Sequence, residues 1–125
     1  MTIERVAIIG LGLLGGSIGL AIAERAEDIV TTGYDQDSAV RDAARTRGLV
    51  NVVCESAAEA VATADLVILC VPVGAMEGAA RSLAPHLPAD AIISDVGSSK
   101  ASVLTALQSA LPGHTVIPAH PVAGT

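Results

Sequence analysis

The chain has 125 residues, the length of one domain, and 51% of them are hydrophobic, enough to bury a core. Its net charge of −6 and its single aromatic residue, Tyr34, argue against partners such as nucleic acids or anionic membranes. Two cysteines, Cys54 and Cys70, lie far apart and in no metal-ligand spacing, which predicts reduced core thiols in a cytoplasmic protein and no metal site.

The predicted elements alternate between short β-branched strands and longer alanine-rich helices. Strands are expected at 5–9, 29–34, 51–53, 66–71, 91–94 and 115–118. Helices are expected at 13–26, 37–47, 56–63, 75–84 and 100–110. This alternation predicts a single α/β domain over residues 1–125, a doubly wound parallel sheet of six strands with helices on both faces.

The uncharged stretch 6–23 is long enough to suggest a membrane span, but five glycines interrupt it. A strand, a turn and a helix explain this stretch better, so we expect no membrane segment. The mean hydropathy of +0.60 is high for a soluble domain, and one explanation is an apolar surface that another domain or subunit covers.

A glycine-rich loop with the sequence GLGLLG, residues 10–15, joins the first strand to the first helix. In this pattern the first glycine allows a tight turn, the second lets a pyrophosphate approach the backbone, and the third lets helix and strand pack closely. The N-terminus of the helix then faces the phosphates with unpaired N–H groups. We therefore favour dinucleotide binding over a structural turn. The predicted cofactor contacts are Gly10, Gly12, Leu13, Leu14 and Gly15.

Asp35 directly follows the second predicted strand, twenty residues after Gly15, at the distance from the glycine loop where an acid binds the adenosine ribose. A carboxylate there accepts hydrogen bonds from the ribose hydroxyls and repels a 2′-phosphate, and the following Gln36 and Asp37 supply no arginine for such a phosphate. This favours NAD over NADP. Alternatively, Asp35 or Asp37 only caps the next helix; because Asp37 can cap, Asp35 is left for the ribose.

Other polar or turn residues also follow predicted strands, and the carboxyl ends of parallel strands share the edge of the sheet where ligands bind. Val71 and Pro72 are expected beside the cofactor, although a plain strand-to-helix turn explains them nearly as well. Gly97 and Ser98 follow the fifth strand, where Ser98 or its neighbour can simply cap a helix. His86 and His114 precede strands, so we expect them on the opposite edge as solvated surface histidines.

His120 follows the last predicted strand and is a candidate general base. An unperturbed imidazole has a pKa of about 6.5, so it is largely neutral at pH 7 and can accept a proton. At this edge of the sheet it would lie near the reactive ring of a dinucleotide, which points to a dehydrogenase.

Three motifs together resemble those of the prephenate and arogenate dehydrogenases of tyrosine biosynthesis. They are GLGLLGGS at 10–17, DVGSSK at 95–100 and HPVAGT at 120–125, and their order and spacing span the chain. The first is shared by many dehydrogenases, whereas the last two together are far more specific. The resemblance implies an N-terminal Rossmann domain that binds NAD or NADP, in an enzyme that oxidises the ring hydroxyl of prephenate or arogenate with loss of carbon dioxide.

By the same resemblance, His120 accepts the hydroxyl proton, Ser98 orients His120 or the substrate hydroxyl, and Gly124 and Thr125 approach the substrate. The family continues into a helical domain that carries arginine contacts to the substrate carboxylates and most of the homodimer interface. None of the seven Lys and Arg residues of this chain follows Lys100. We therefore expect a fragment, or a chain that a partner completes, that is inactive alone.

Two other interpretations stay open at this point. One is another small Rossmann reductase, related to β-hydroxyacid dehydrogenases or pyrroline-carboxylate reductases, against which the Ser98 and His120 pair weighs. The other is a stand-alone NAD-binding or redox-sensing module, in which the histidine motif would have no purpose. The motifs do not distinguish prephenate from arogenate, and they do not indicate an oligomeric state or regulation by tyrosine.

Overall fold

The computed structural model describes residues 2–96 and 101–119, with side chains except at 101–103, 118 and 119. In this part of the chain the strands are β1 (Arg5–Ile9), β2 (Val30–Tyr34), β3 (Val52–Val53), β4 (Leu66–Leu69), β5 (Ile92–Val96) and β6 (Thr115–Ala119). The helices are α1 (Leu13–Arg25), α2 (Ser38–Arg47), α3 (Ala57–Val61), α4 (Val73–Leu83) and α5 (Ala101–Ala110), with a 3₁₀ turn at Ala84–His86.

Each predicted strand and helix is confirmed, with ends that differ by at most two residues from those expected. The β4–α4 junction shows why the ends differ. β4 was expected to reach Val71, but it ends at Leu69, and α4 begins at Val73 rather than at residue 75. Pro72 has no N–H to donate to a neighbouring strand, and its φ of −55° suits the entry to a helix.

All strand pairs are parallel, in the order β3-β2-β1-β4-β5-β6. The chain builds one half of the sheet outward from β1 and then crosses over to build the other half from β4. Ile9 at the end of β1 is the register partner of both Tyr34 on β2 and Leu69 on β4. The three strands therefore end together, and a crevice opens between β1 and β4 where the direction of winding reverses.

Hydrophobic residues of the sheet point alternately to two separate cores. Ala7 and Ile9 of β1 pack with α3, α4 and α5 on one face. Val6 and Ile8 pack on the other face, in the cluster that includes Ala44 of α2. A strand buried on both faces must be apolar at every position, which explains the uninterrupted apolar runs of β1 and β4.

The apolar stretch 6–23 forms β1, the glycine loop and most of α1. Across the described residues, no helix has the length and apolar character needed to cross a bilayer. α1 nevertheless leaves Leu13, Leu14 and Leu20 exposed, so part of the high mean hydropathy comes from the surface of this helix.

Candidate functional site

The glycine loop, residues 10–15, makes the turn from β1 into α1 with geometry that only glycine permits at two of its positions. Gly10 has a φ of +101°, and a Cβ there would lie 2.5 Å from the carbonyl oxygen of Cys70. A Cβ on Gly15 would overlap the carbonyl oxygen of Gly10, so α1 packs directly on the loop. In contrast, nothing lies within 4 Å of the position that a Cβ on Gly12 would occupy. The loop is therefore tight at both ends and open in the middle.

α1 begins at this open part of the loop. Gly12 is the N-cap residue, and no side chain caps the helix. The first N–H groups of a helix have no acceptor within it, and they carry the positive end of the helix dipole. Leu13 and Leu14 form the exposed first turn. The loop and the helix together can bind an anion such as a pyrophosphate.

Asp35 joins the glycine loop to the turn between β2 and α2. Its Oδ2 accepts a hydrogen bond from the N–H of Leu11 at 2.9 Å, and its Oδ1 accepts one from the N–H of Asp37 at 2.9 Å. A carboxylate has about four lone-pair sites, so roughly half of its acceptor capacity is left for a ligand. Asp35 can thus accept a hydroxyl hydrogen bond while its position is fixed from both sides.

Asp37 caps α2, as the sequence predicted, by accepting a hydrogen bond from the N–H of Ala39 at 2.9 Å. Asp35 makes no such capping bond, so the interpretation in which it only caps the helix is wrong. At the other end of α2, Gly48 adopts the left-handed conformation with a φ of +63°, which ends the helix.

A cleft of about 380 Å³ lies at the point where the winding of the sheet reverses, between the β2–α2 and β4–α4 connections. Its walls include Asp35, Gln36, Val40, Val71, Pro72 and Ala75. The cleft thus brings the predicted Asp35, Val71 and Pro72 together with Gly10. Such a crevice is the usual ligand position in open α/β sheets, and its size is within the range of small-molecule sites.

Sequence reasoning missed the cleft residues that lie within helices. Val40 is in the first turn of α2 and Ala75 in the first turn of α4, each a few residues beyond a strand end. The prediction considered only residues directly after strands, although the first turn of a following helix also places side chains on the side that faces the cleft.

A second groove of about 730 Å³ runs between α1 and α2 and is lined mainly by apolar residues. Leu13, Leu20 and Ala43 form much of its wall, and no carboxylate faces it. Among the described residues, this larger groove therefore has no counterpart of Asp35, a carboxylate that lines the smaller cleft.

Cys70 forms part of the cleft wall, and it is half-buried rather than buried as the sequence suggested. Burial raises the pKa of its thiol to about 11. The group is therefore protonated at neutral pH and contributes an apolar surface rather than a nucleophile. Burial also raises the pKa of the Cys54 thiol, with a further contribution from the charge of Glu59, and neither cysteine forms a disulfide.

The candidate base and its neighbours, Gly97, Ser98, His120, Gly124 and Thr125, lie outside the described residues. The strands that precede them are described. β5 and β6 end together, with Val96 as the register partner of Ala119. The segments that begin at 97 and at 120 thus follow the paired last residues of two neighbouring strands.

Both His86 and His114 precede strands, as predicted, but one of them is less exposed than the sequence predicted. His86 is exposed, as expected, but His114 is half-buried and not a solvated surface residue. Its Nε2 lies 3.0 Å from the carbonyl oxygen of Pro88. Both histidines precede strands, but His114 packs in the gap between the end of α5 and the turn before β5, which position along the chain does not reveal.

Comparison with known proteins places most of the chain in one group. Residues 18–125 match the family model described as prephenate dehydrogenase, nucleotide-binding domain. A cyclohexadienyl dehydrogenase of Zymomonas mobilis subsp. mobilis is 47% identical over 122 residues, which cover 98% of this chain and 42% of the relative. A prephenate dehydrogenase of Bacillus subtilis is 32% identical over 127 residues, with 98% and 33% covered. The chain thus spans less than half the length of these relatives.

Solved structures of similar fold agree with this result. The prephenate dehydrogenase from A. aeolicus, crystallised with hydroxyphenyl propionate and NAD⁺, superposes with a TM-score of 0.87 at 26% identity over 100% of this chain and 44% of its own. An arogenate dehydrogenase from Synechocystis gives 0.85 at 28% identity, with 98% and 42% covered. The glycine loop precedes the residues that the family model matches, but it lies within the part of the chain that the A. aeolicus structure covers.

Proposed function

The chain belongs to the prephenate dehydrogenase nucleotide-binding domain family, and on this premise we propose that it binds NAD across the carboxyl edge of its sheet. The observation that carries the proposal is the bond from Leu11 N–H to the carboxylate of Asp35, which couples the glycine loop to the ribose acceptor. The loop and α1 would hold the pyrophosphate, and the cleft beside Asp35 would take the adenosine.

The preference for NAD over NADP follows from the charge at this site. Asp35 faces the cleft, and no Lys or Arg is among the described residues that line it. A 2′-phosphate would therefore meet a carboxylate without a compensating cation, which disfavours NADP.

We further propose that the enzyme to which this domain belongs oxidises the ring hydroxyl of prephenate or arogenate with loss of carbon dioxide. Bound NAD supplies a hydride acceptor. The imidazole of His120 accepts the proton of the substrate hydroxyl, Ser98 hydrogen-bonds to His120 or to that hydroxyl, and Gly124 and Thr125 lie against the substrate. The motif at 120–125 supports these roles, and so does the register that ends β5 and β6 together.

The proposal also covers Gly97, the state of the whole enzyme and the bounds of the domain. Gly97 contributes to the cofactor site, since it directly follows β5. The whole enzyme is a homodimer through the helical domain that the resemblance implies. It is located in the cytoplasm, where thiols such as those of Cys54 and Cys70 stay reduced. Residues 1–125 act as one dinucleotide-binding domain.

A chimera tests the proposed reaction. This chain replaces the matching residues of the cyclohexadienyl dehydrogenase of Zymomonas mobilis, the relative that is 47% identical to it. We expect NADH formation with prephenate or arogenate, and a loss of roughly 10²–10⁴-fold on His120→Asn without a change in NAD affinity. Ser98→Ala should cost less, because it orients the base and does not accept the proton.

The chain alone serves as the control and should bind NAD without turnover. A chimera that is folded and binds NAD but turns over neither compound would contradict the proposed reaction. Near-normal turnover by His120→Asn would show that His120 is not the base.

A further inference from the structure

Arg41 is a nearly buried arginine on α2, with 15% of its side chain exposed. Its Nη1 donates to the carbonyl oxygen of Asp35 at 2.8 Å and is 3.3 Å from that of Gln36. These two carbonyls belong to the turn between β2 and α2. One guanidinium therefore spans the turn that carries the proposed ribose acceptor.

Two further contacts fix the guanidinium in place. Its carbon lies 5.6 Å from the centre of the Tyr34 ring, and its Nη2 lies 3.6 Å from Oε2 of Glu55. Its Nε is buried without a hydrogen-bond partner among the described residues.

Asp35 is consequently held by both its side chain and its main chain. The N–H groups of Leu11 and Asp37 donate to the two carboxylate oxygens, and Arg41 donates to the main-chain carbonyl. Removing the guanidinium would free the carbonyl side of the turn and let the carboxylate move relative to the cleft.

We propose that Arg41 is a positioning residue for cofactor selectivity. It fixes the turn at residues 35–36 so that the Asp35 carboxylate lies where a ribose hydroxyl binds and where a 2′-phosphate is repelled. The inference rests on the proposed binding of NAD. Arg41 is absent from the residues that line the cleft, so it acts through Asp35 rather than by contact with the ligand.

The opposite role, in which Arg41 binds a 2′-phosphate directly, fits the contacts less well. Nη1 is committed to the carbonyl of Asp35, and Nη2 faces the carboxylate of Glu55. Nη1 alone contacts both carbonyls, while the guanidinium also lies over the Tyr34 ring and Nη2 faces Glu55, a combination that the single nitrogen of a lysine cannot reproduce.

The test compares the affinities of NAD and NADP for the full chain by calorimetry. In Arg41→Gln we expect NAD affinity to fall about tenfold and NADP affinity to fall less, so that the preference for NAD shrinks. Arg41→Lys should lie between this variant and the wild type. A general loss of stability would weaken both ligands alike, so the ratio of the two affinities separates positioning from folding.

Arg45→Gln is the matched control. Arg45 is also on α2 and pairs with Asp42 and Glu55, but it makes no bond to the turn. It should leave both affinities unchanged. If Arg41→Gln does not fold, Arg41→Lys decides, and a wild-type ratio in it overturns the inference.

The experiment distinguishes a failure of the proposed function from a failure of the role proposed for Arg41. A wild-type chain that does not bind NAD overturns the proposed function itself. A wild-type chain that binds NAD, with an unchanged ratio in Arg41→Gln or a selective loss of NADP affinity, overturns only the role of Arg41.

Discussion

Asp35 connects two loops of the protein by hydrogen bonds that do not require a ligand. Its carboxylate connects Leu11 in the glycine loop to Asp37 at the start of α2. The sequence predicts a ribose acceptor directly after β2 from its distance to the glycine loop, and that role stays a prediction. The hydrogen bond between Asp35 and Leu11 was not predictable, because it depends on two connections that meet at one edge of the sheet.

Exchange of the charge at this position should reverse the cofactor preference. Asp35→Ser with Gln36→Arg removes the carboxylate and adds a cation for a 2′-phosphate. A charge-assisted hydrogen bond contributes about 1.5–3 kcal/mol, so the NAD-to-NADP affinity ratio should change by at least roughly tenfold toward NADP. Calorimetry on both proteins measures the ratio. Tighter binding of NADP by the wild-type chain would contradict the role assigned to Asp35.

Asp65 makes stability depend on pH at the opposite edge of the sheet. Its Oδ2 accepts hydrogen bonds from the N–H groups of Glu4 and Arg5 at 2.9 Å, and these bonds lower the pKa of the carboxyl group. Because the folded pKa lies below the unfolded one, the stabilisation is complete above the unfolded value, about 3.9, and is lost as the pH falls through the folded value.

Asp65→Asn should therefore melt at a lower temperature than the wild type at pH 7, and the difference should close at strongly acid pH. Thermal unfolding followed by circular dichroism measures it. Asp90→Asn, at an exposed aspartate before β5, is the control and should show no such difference. If the difference in melting temperature between Asp65→Asn and the wild type persisted unchanged at acid pH, the charge of Asp65 would not be its cause.

At the scale of elements, the packing of α1 against the glycine loop links stability to the proposed binding site. A Cβ at position 15 would overlap the carbonyl oxygen of Gly10, whereas a Cβ at position 78 of α4 meets nothing within 4 Å. The same substitution should therefore have opposite effects at these two helical glycines.

Gly15→Ala should destabilise the chain by about 3 kcal/mol, at the upper end of overpacking costs, and should weaken NAD binding because the loop must shift. Gly78→Ala should stabilise it by about 0.5–1 kcal/mol, since alanine restricts the unfolded chain and favours helix. Urea unfolding measures both values. Equal effects of the two substitutions would show that the close contact at Gly15 does not exist in solution.

The elements themselves were predictable because β-branched and alanine-rich runs alternate along the chain, and Gly48 marks the end of α2. The exact ends of the strands and helices were harder to predict. β4 stops at Leu69 because Pro72 must enter α4, a local requirement that overrides the apolar pattern of the strand. Tertiary contacts of this kind set the last residue or two of an element.

At the scale of the whole molecule, alternation of strands and helices was enough to predict the doubly wound sheet, and the rule for strand ends was enough to group Gly10, Asp35, Val71 and Pro72. The contacts of Arg41 with the turn were not predictable, because Arg41 lies six residues after Asp35 and its side chain reaches back from α2. The half-buried His114 was missed for a related reason, since its partner Pro88 is distant in sequence.

Titration of NAD into the ¹⁵N-labelled chain, followed residue by residue by NMR, tests the central claim most directly. Saturable shifts are expected at the amides of Gly12, Leu13, Leu14 and Asp35. The connections at the other edge, residues 26–29 and 88–91, should stay unchanged. The absence of saturable binding, or shifts concentrated at that other edge, would contradict the assignment of the carboxyl edge as the NAD site.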